Sequence, residues 1–374
     1  MGEVFGWITS EQFWLPQGVS WSQLHSETSI HTYPKPGDLL VIIPISLVLV
    51  VIQAALEKFF SDVFGSHLGV PKTKHDPPTD NVTLWHVYKT STVRPSAKHM
   101  SGIAQHLGWN QKDVKMWFRQ ARAANKPSTM EKFKNSCWQL TFQLFVLVYG
   151  LVILTKAPFF WNTPLCFLDY PKIPLLSSIA GYYMLHLSFY TSSLLVMLQK
   201  GSVHMEPPSM ILHHCVVLGL LLVSYIMNFT RIGALVIFYH DLPKCLIEVS
   251  KLLHYLKFSR LSTGVLFCHT VTFFITRLGI FPFCLFSSII VEIPETFGTF
   301  PAFWLTLIML LVLQILNIYW FQNVSHTLTQ LVRNGKVEKD NEESIFHNDS
   351  DGSGDEHNDN SDKPVAPEEP NMNR

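Results

Sequence analysis

The stretch 213–241, HHCVVLGLLLVSYIMNFTRIGALVIFYHD, constrains the fold more than any other part of the chain. Paired histidines open it, a His-Asp pair closes it, and nearly everything between is apolar enough for lipid. Ionisable side chains at membrane depth cost about 2.5–3.5 kcal/mol on insertion scales unless they are paired or solvated. Such a pattern demands a helical bundle that turns these groups away from lipid. It points to a reaction or proton-handling site built from imidazoles and a carboxylate. Composition agrees: charged residues make up 15% and aromatics 13% of the chain, which excludes both a disordered chain and an ordinary soluble domain.

A span needs roughly 20 mostly apolar residues. Seven stretches qualify, at about 39–56, 138–155, 174–198, 210–230, 233–251, 264–291 and 300–323. The expected fold class is all-α: a polytopic membrane protein of about seven transmembrane helices around a polar cavity, with a small cytosolic helical unit. The fourth and fifth stretches meet so tightly at Arg231 that they read either as two spans or as one broken segment. The sixth carries Arg277 and Pro282, which predicts a kink.

Basic residues set the orientation. Thirteen Lys and Arg lie between the first and second spans. Alternate loops add Lys200, then Lys251, Lys257 and Arg260, then Arg333, Lys336 and Lys339, whereas the opposite side offers Lys35, Lys156, Lys172 and Arg231. The C-terminus is expected in the cytosol and the N-terminus on the far side. The start, MGEVFGWITSEQFW, has no basic region followed by an apolar core, so no cleavable signal peptide is expected. The six cysteines show no CxxC spacing and read as small buried hydrophobes.

Helical geometry sharpens the polar pattern. At about 100° per residue, His213, Ser224, Asn228 and Arg231 fall within about 60° of one another, with His214 and Tyr225 flanking them. On the fifth span His240, Lys244, Glu248 and Lys251 nearly line up, with Asp241 beside them. Tyr182, Tyr183, His186 and Tyr190 share one side of the third, and His269, Thr272 and Thr276 stack on the sixth. Four polar stripes imply an interior cavity. The candidate catalytic residues are His213, His214, His240 and Asp241. His213 is expected to act as nucleophile or general base with His214 in support, and Asp241 to orient or charge-stabilise His240. The candidate substrate-binding residues are Ser224, Tyr225, Asn228, Arg231, Tyr190, Arg277 and Glu248. A lone His186 or His269 reads more readily as an interhelical hydrogen-bonding group than as a reactive one. His-His and His-Asp lack the i,i+4 ligand spacing of a helix-borne zinc motif, so no metal is expected.

At these residues the chain resembles the ceramide synthases, Lag1-type members of the TRAM/LAG/CLN8 (TLC) domain superfamily. The resemblance rests on His213-His214, SYIMNFTRIGALV, His240-Asp241 and LIEVSKLLHY, with echoes in FWLP, YYMLHLSFY, FFITRLGIFP and LQILNIYWF. It implies transfer of a fatty acyl group from acyl-CoA to the amine of a sphingoid base, sphingosine or sphinganine. Acyl-CoA is then a substrate and no cofactor is needed. It further implies a multi-pass location in the endoplasmic reticulum membrane with a luminal N-terminus, contact with membrane lipids, and homo- or hetero-oligomers with other ceramide synthases. The expected organisation is a luminal segment at 1–38, a first transmembrane helix at 39–57, a linker and homeobox-like segment at 72–128, a six-helix TLC domain at 131–332, and an acidic disordered cytosolic tail at 333–374. The resemblance also implies that the connection at 291–300, VEIPETFGTF, helps decide acyl length.

The departures from the family pattern are specific. That pattern reads His-Asp-x-x-Asp; here Lys244 replaces the second Asp and Pro243 precedes it. Where the family has Glu in a Leu-Glu-Ser-Phe-Tyr-like run, this chain has His186. The loop before the paired histidines, QKGSVHMEPPSM, keeps Lys200 but few other cations, and the tail lacks the family's phosphorylation motif, although Ser353 precedes acidic residues. Lys244 reads either as a lesion or as a partner of Glu248 one turn on. Three classes therefore stay open: an acyltransferase, a catalytically silent scaffold for active homologues, and a membrane-tethered DNA-binding regulator. Against the last, Gln120 stands where homeodomains place the adenine-reading Asn, and the first helix and minor-groove arm are missing from the pattern. Sequence-specific DNA binding is not expected; Lys112, Lys115, Arg119, Arg122 and Lys126 suit anionic headgroups or CoA phosphates.

Overall fold

Apolar runs punctuated by Pro, Gly and Asn fold into helices, and no strand occurs among the described residues. The computed structural model describes residues 6–7, 9–24, 33–72, 76–93, 95–125, 127–199 and 208–334. Lys126, Lys200 with the rest of the loop at 200–207, and the acidic tail from 335 with Ser353 lie outside the described residues. The main helices are α1 (Ile42–Phe59), α2 (Val82–Thr90), α3 (Ala97–Leu107), α4 (Gln111–Asn125), α5 (Thr129–Leu154), α6 (Ser177–Gln199), α7 (Pro208–Ile226), α8 (Thr230–Tyr255), α9 (Ser259–Phe273), α10 (Ser287–Phe297) and α11 (Pro301–Asn334).

Among the described residues five helical segments are long and apolar enough to cross a membrane: Pro36–Gly65, Thr129–Leu154, Ser209–Ile226, Ser259–Phe297 and Pro301–Arg333. The expectation of seven is thus met by five on length and apolarity. The other two, α6 and α8, are present as helices of 23 and 26 residues but carry too many polar side chains. Their position explains this. Helix α8 is central and packs against α5, α6, α7 and α9, so its polar groups face protein. The chain reverses between α7 and α8 at Asn228, whose φ of 58° is left-handed, a conformation that Asn tolerates. The stretch from His213 to Asp241 is therefore two helices and not one broken segment. The predicted kink near Arg277 and Pro282 takes the form of a π-helical stretch, Phe274–Phe286, joining α9 to α10.

Between residues 76 and 125 the described residues form three helices: α3 and α4 make a helix, turn, helix, and α2 precedes them. Helix α2, nine residues long, is too short for apolar periodicity to stand out. Leu84 and Tyr88 pack with Ile103, Val114, Trp117 and Phe118. Trp85 and Trp117 meet edge to face at 5.0 Å, and the Trp117 indole donates to the Thr79 carbonyl at 2.7 Å. Gly108 closes α3 at φ 66°, and Asn110 then accepts from the Lys112 amide at 3.2 Å. A reciprocal cap starts α5: Ser128 Oγ accepts from the Glu131 amide at 3.2 Å, and Glu131 accepts from the Ser128 amide at 2.8 Å.

The bundle core is aromatic. Phe142 of α5 stacks on Phe189 of α6 at 3.8 Å. Close approach of α8 to α6 depends on Gly233, because a Cβ there would overlap the Tyr183 hydroxyl. Gly233→Ala gains about 1 kcal/mol of helix propensity but forces Tyr183 aside, which costs about 1–3 kcal/mol as overpacking. The expected result is a lower melting temperature in detergent, with recovery when Tyr183→Phe removes the clashing oxygen. Equal melting of Gly233→Ala and parent would show that the helices are not closely apposed there.

The connection expected at 291–300 is mostly helix. Helix α10 runs to Phe297 because its apolar face, Ile289 and Ile293, is buried, and Gly298 at φ 74° ends it.

Candidate active site

Proline at the first turn of α7 suits a helix start, and the helix delivers His213 and His214 five and six residues later. Adjacent helical residues diverge by about 100°, so the two rings separate. His213 turns inward and is 7% exposed; His214 sits on the flank, half-buried. The His213 Nδ1 is buried with no hydrogen-bond partner among the described residues. Packing holds the ring instead, edge to face with Trp320 of α11 at 5.0 Å. The His214 ring is held by Nδ1, which donates to the Met210 carbonyl at 2.8 Å.

His213, His240, Asp241, Ser224 and Tyr190 line one cavity, together with His186, Lys244 and a mostly aliphatic wall that includes Val217, Leu220, Ile237 and Leu310. The space amounts to about 690 Å³, counting its open mouth. Apolar walls with a few convergent polar groups are the usual make-up of a small-molecule site. Among the described residues no group of three His, Cys, Asp or Glu is placed to hold a metal ion.

His240 and Asp241 do not serve each other. His240 Nδ1 donates to the Val236 carbonyl at 2.8 Å, and its Nε2 faces the Asn317 amide nitrogen at 3.4 Å. Asp241 points to the other side of α8. Its Oδ2 lies 2.6 Å from His186 Nε2, and its Oδ1 accepts from Lys244 Nζ at 3.4 Å. The expectation that Asp241 orients His240 is corrected here. Neighbours on a helix face different partners, and α6 rather than His240 meets the carboxylate. His186 Nδ1 also donates, to the Tyr182 carbonyl at 2.9 Å. His186 thus bridges the Tyr182 carbonyl and the Asp241 carboxylate. His186 and Lys244 flank Asp241 from either side. Lys244 also donates to the Tyr190 hydroxyl and does not pair with Glu248, which binds Lys251 at 2.9 Å.

The remaining candidates stand outside the cavity lining. The stripe read through Asn228 and Arg231 breaks because α7 ends at Ile226. Asn228 donates to the carbonyls of Pro171 and Ile173 at 2.9 and 2.8 Å, and Arg231 to those of Leu165 and Leu168 at 3.2 and 3.3 Å. Both brace the segment joining α5 to α6. Tyr225 donates to Asp38 at 3.0 Å, and Arg277 donates to the His240 carbonyl at 2.7 Å, backing the site without lining it. Sequence reasoning missed Asn317 and Trp320. A lone Asn in an apolar run, three residues before a Trp, was the available signal, since i and i+3 share a helix face.

A family model for the TLC domain matches residues 132–326. The chain is 32% identical to ceramide synthase 5 of Homo sapiens over 343 residues, covering 91% of this chain and 87% of that protein. It is 31% identical to ceramide synthase 4 of Bos taurus, covering 89% and 84%, and 33% identical to ceramide synthase 3 of Mus musculus, covering 84% and 81%. The cavity lies in a helical domain of the TLC class, and the chain belongs to the ceramide synthase family.

Proposed function

We propose that the chain is a sphingosine N-acyltransferase that moves a fatty acyl group from acyl-CoA to the amine of a sphingoid base. The observation that carries this reading is His213: a buried imidazole with an unpartnered Nδ1 on the wall of a largely aliphatic cavity, in a chain of this family. Long acyl substrates match such walls. Imidazole can serve in two ways. As a general base it takes a proton from the sphingoid amine while the nitrogen attacks the thioester carbonyl; the C–S bond breaks and the CoA thiolate takes the proton. As a nucleophile it first forms an acyl-imidazole, releasing CoA, and the amine then displaces it. No cofactor is invoked.

The rest of the proposal follows the chain's charge. Helices α6 and α8 complete a seven-helix crossing, with a luminal N-terminus, a cytosolic C-terminus and an endoplasmic reticulum location. The domain plan of a first span at 39–57, a homeobox-like unit at 72–128 and a TLC domain at 131–332 stands with it. Lys112, Lys115 and Arg119 are exposed on α4 and suit anionic lipid headgroups at the membrane surface. Oligomers with other ceramide synthases are the partners this family implies. Lys244 is paired with Asp241 at 3.4 Å and is not a bare cation in the site. The decisive experiment is expression in cells stripped of ceramide synthases, fed labelled sphinganine. Labelled ceramide is expected; a chain that only alters the products of a co-expressed homologue, and makes none alone, would overturn the reading.

A further inference from the structure

The Lys244 contacts define a second reactive element in the cavity. A lysine ammonium only donates hydrogen bonds, so in the contact between Lys244 and Tyr190 the phenol oxygen accepts. The hydroxyl keeps its own proton, and that proton meets no acceptor among the described residues. The contacts of Asp241 run to His186 and Lys244, and none to Tyr190 occurs among the described residues. Tyr190 therefore presents an O–H donor to the cavity with a cation bound behind its oxygen. The Tyr190 ring stands 6.4 Å from the His213 ring and 5.8 Å from the His214 ring, centre to centre, so donor and imidazole face the same space. The surrounding charge has the same sense. Lys244 and buried Arg277 are two cations against the one carboxylate of Asp241, while Glu248 is occupied by Lys251.

We propose that Tyr190 is the oxyanion donor of acyl transfer and that Lys244 is the positioning residue that holds and polarises it. This rests on the acyltransferase reading above. When an imidazole or amine nitrogen attacks the thioester, the carbonyl π electrons move to oxygen. Tyr190 donates to that oxyanion. As the intermediate collapses, the C=O bond re-forms, the C–S bond breaks, and the thiolate leaves. A donor aimed at charge that develops only in the transition state raises kcat rather than affinity. Lys244 in place of a family Asp is then a working part of this chain's site, not a lesion.

The test uses the full chain in membranes or detergent, with kcat, KM and binding of a non-reactive thioether analogue of acyl-CoA measured for each variant. Tyr190→Phe keeps the ring and loses the donor; kcat is expected to fall by about 10²–10³-fold with analogue binding unchanged. Lys244→Met is expected to lower kcat in the same sense, Lys244→Arg to restore most of it, and Lys244→Asp to lower it. A Tyr190→Phe enzyme with kcat within about threefold of the parent, or a rise on Lys244→Asp, overturns this proposal while leaving the acyltransferase reading intact. A fall in kcat matched by lost analogue binding reassigns the pair to structure and also overturns it. A parent with no ceramide formation at all removes the acyltransferase reading, and this proposal with it.

Discussion

His213→Ala is expected to lower acyl transfer by about 10²–10⁴-fold, the range for removing a positioned acid, base or nucleophile. The ring has the geometry for the role. It lines the cavity, its Nδ1 has no partner, and packing against Trp320 holds it without consuming a nitrogen. His214→Ala is expected to have the smaller effect, since that ring sits on the flank and spends Nδ1 on the Met210 carbonyl. Ceramide formation is measured at matched expression, with thioether-analogue binding reporting on the fold. Full activity in His213→Ala would move the chemistry to another residue. His240 is the less suited alternative, because Val236 holds one of its nitrogens and Asn317 faces the other.

Asp241→Asn carries the largest expected stability effect. The carboxylate is 1% exposed and sits between His186 and Lys244. Removing one member of a buried ion pair costs about 3–5 kcal/mol, because the charge left behind stays desolvated. The lower end is expected here, since the Lys244 side chain is 22% exposed and regains some solvent. The prediction is a large drop in melting temperature and in folded yield. Adding Lys244→Met to Asp241→Asn removes the stranded cation and should recover part of the loss, a coupling that a double-mutant cycle reads directly. If the double variant is as unstable as the additive sum of the singles, Lys244 and Asp241 do not interact in the folded protein.

Much of the fold was legible in the sequence because its signals are local. The polar face of α6 through Tyr182, Tyr183, His186 and Tyr190 follows from periodicity within a few residues. The misses share a cause. Helix α2 was too short to show a period. The stripe through Asn228 and Arg231 assumed one helix where the chain turns back at a left-handed Asn. The span at 233–251 falls short on apolarity because its polar side chains face protein at the bundle centre.

By itself, the sequence determined that this chain is helical and membrane-embedded, that imidazoles and a carboxylate gather inside it, and that it resembles the ceramide synthases. Those conclusions rest on hydropathy, period and motif, which are properties of residues close together along the chain. Tertiary structure alone decided who pairs with whom. Asp241 belongs to His186, 55 residues away, and to Lys244, rather than to the adjacent His240. His213 leans on Trp320, and His240 meets Asn317, 77 residues away. A helix period states which face a side chain occupies, but only packing of one helix against another brings a partner to that face. In a water-poor interior the energy of a charge depends on that partner.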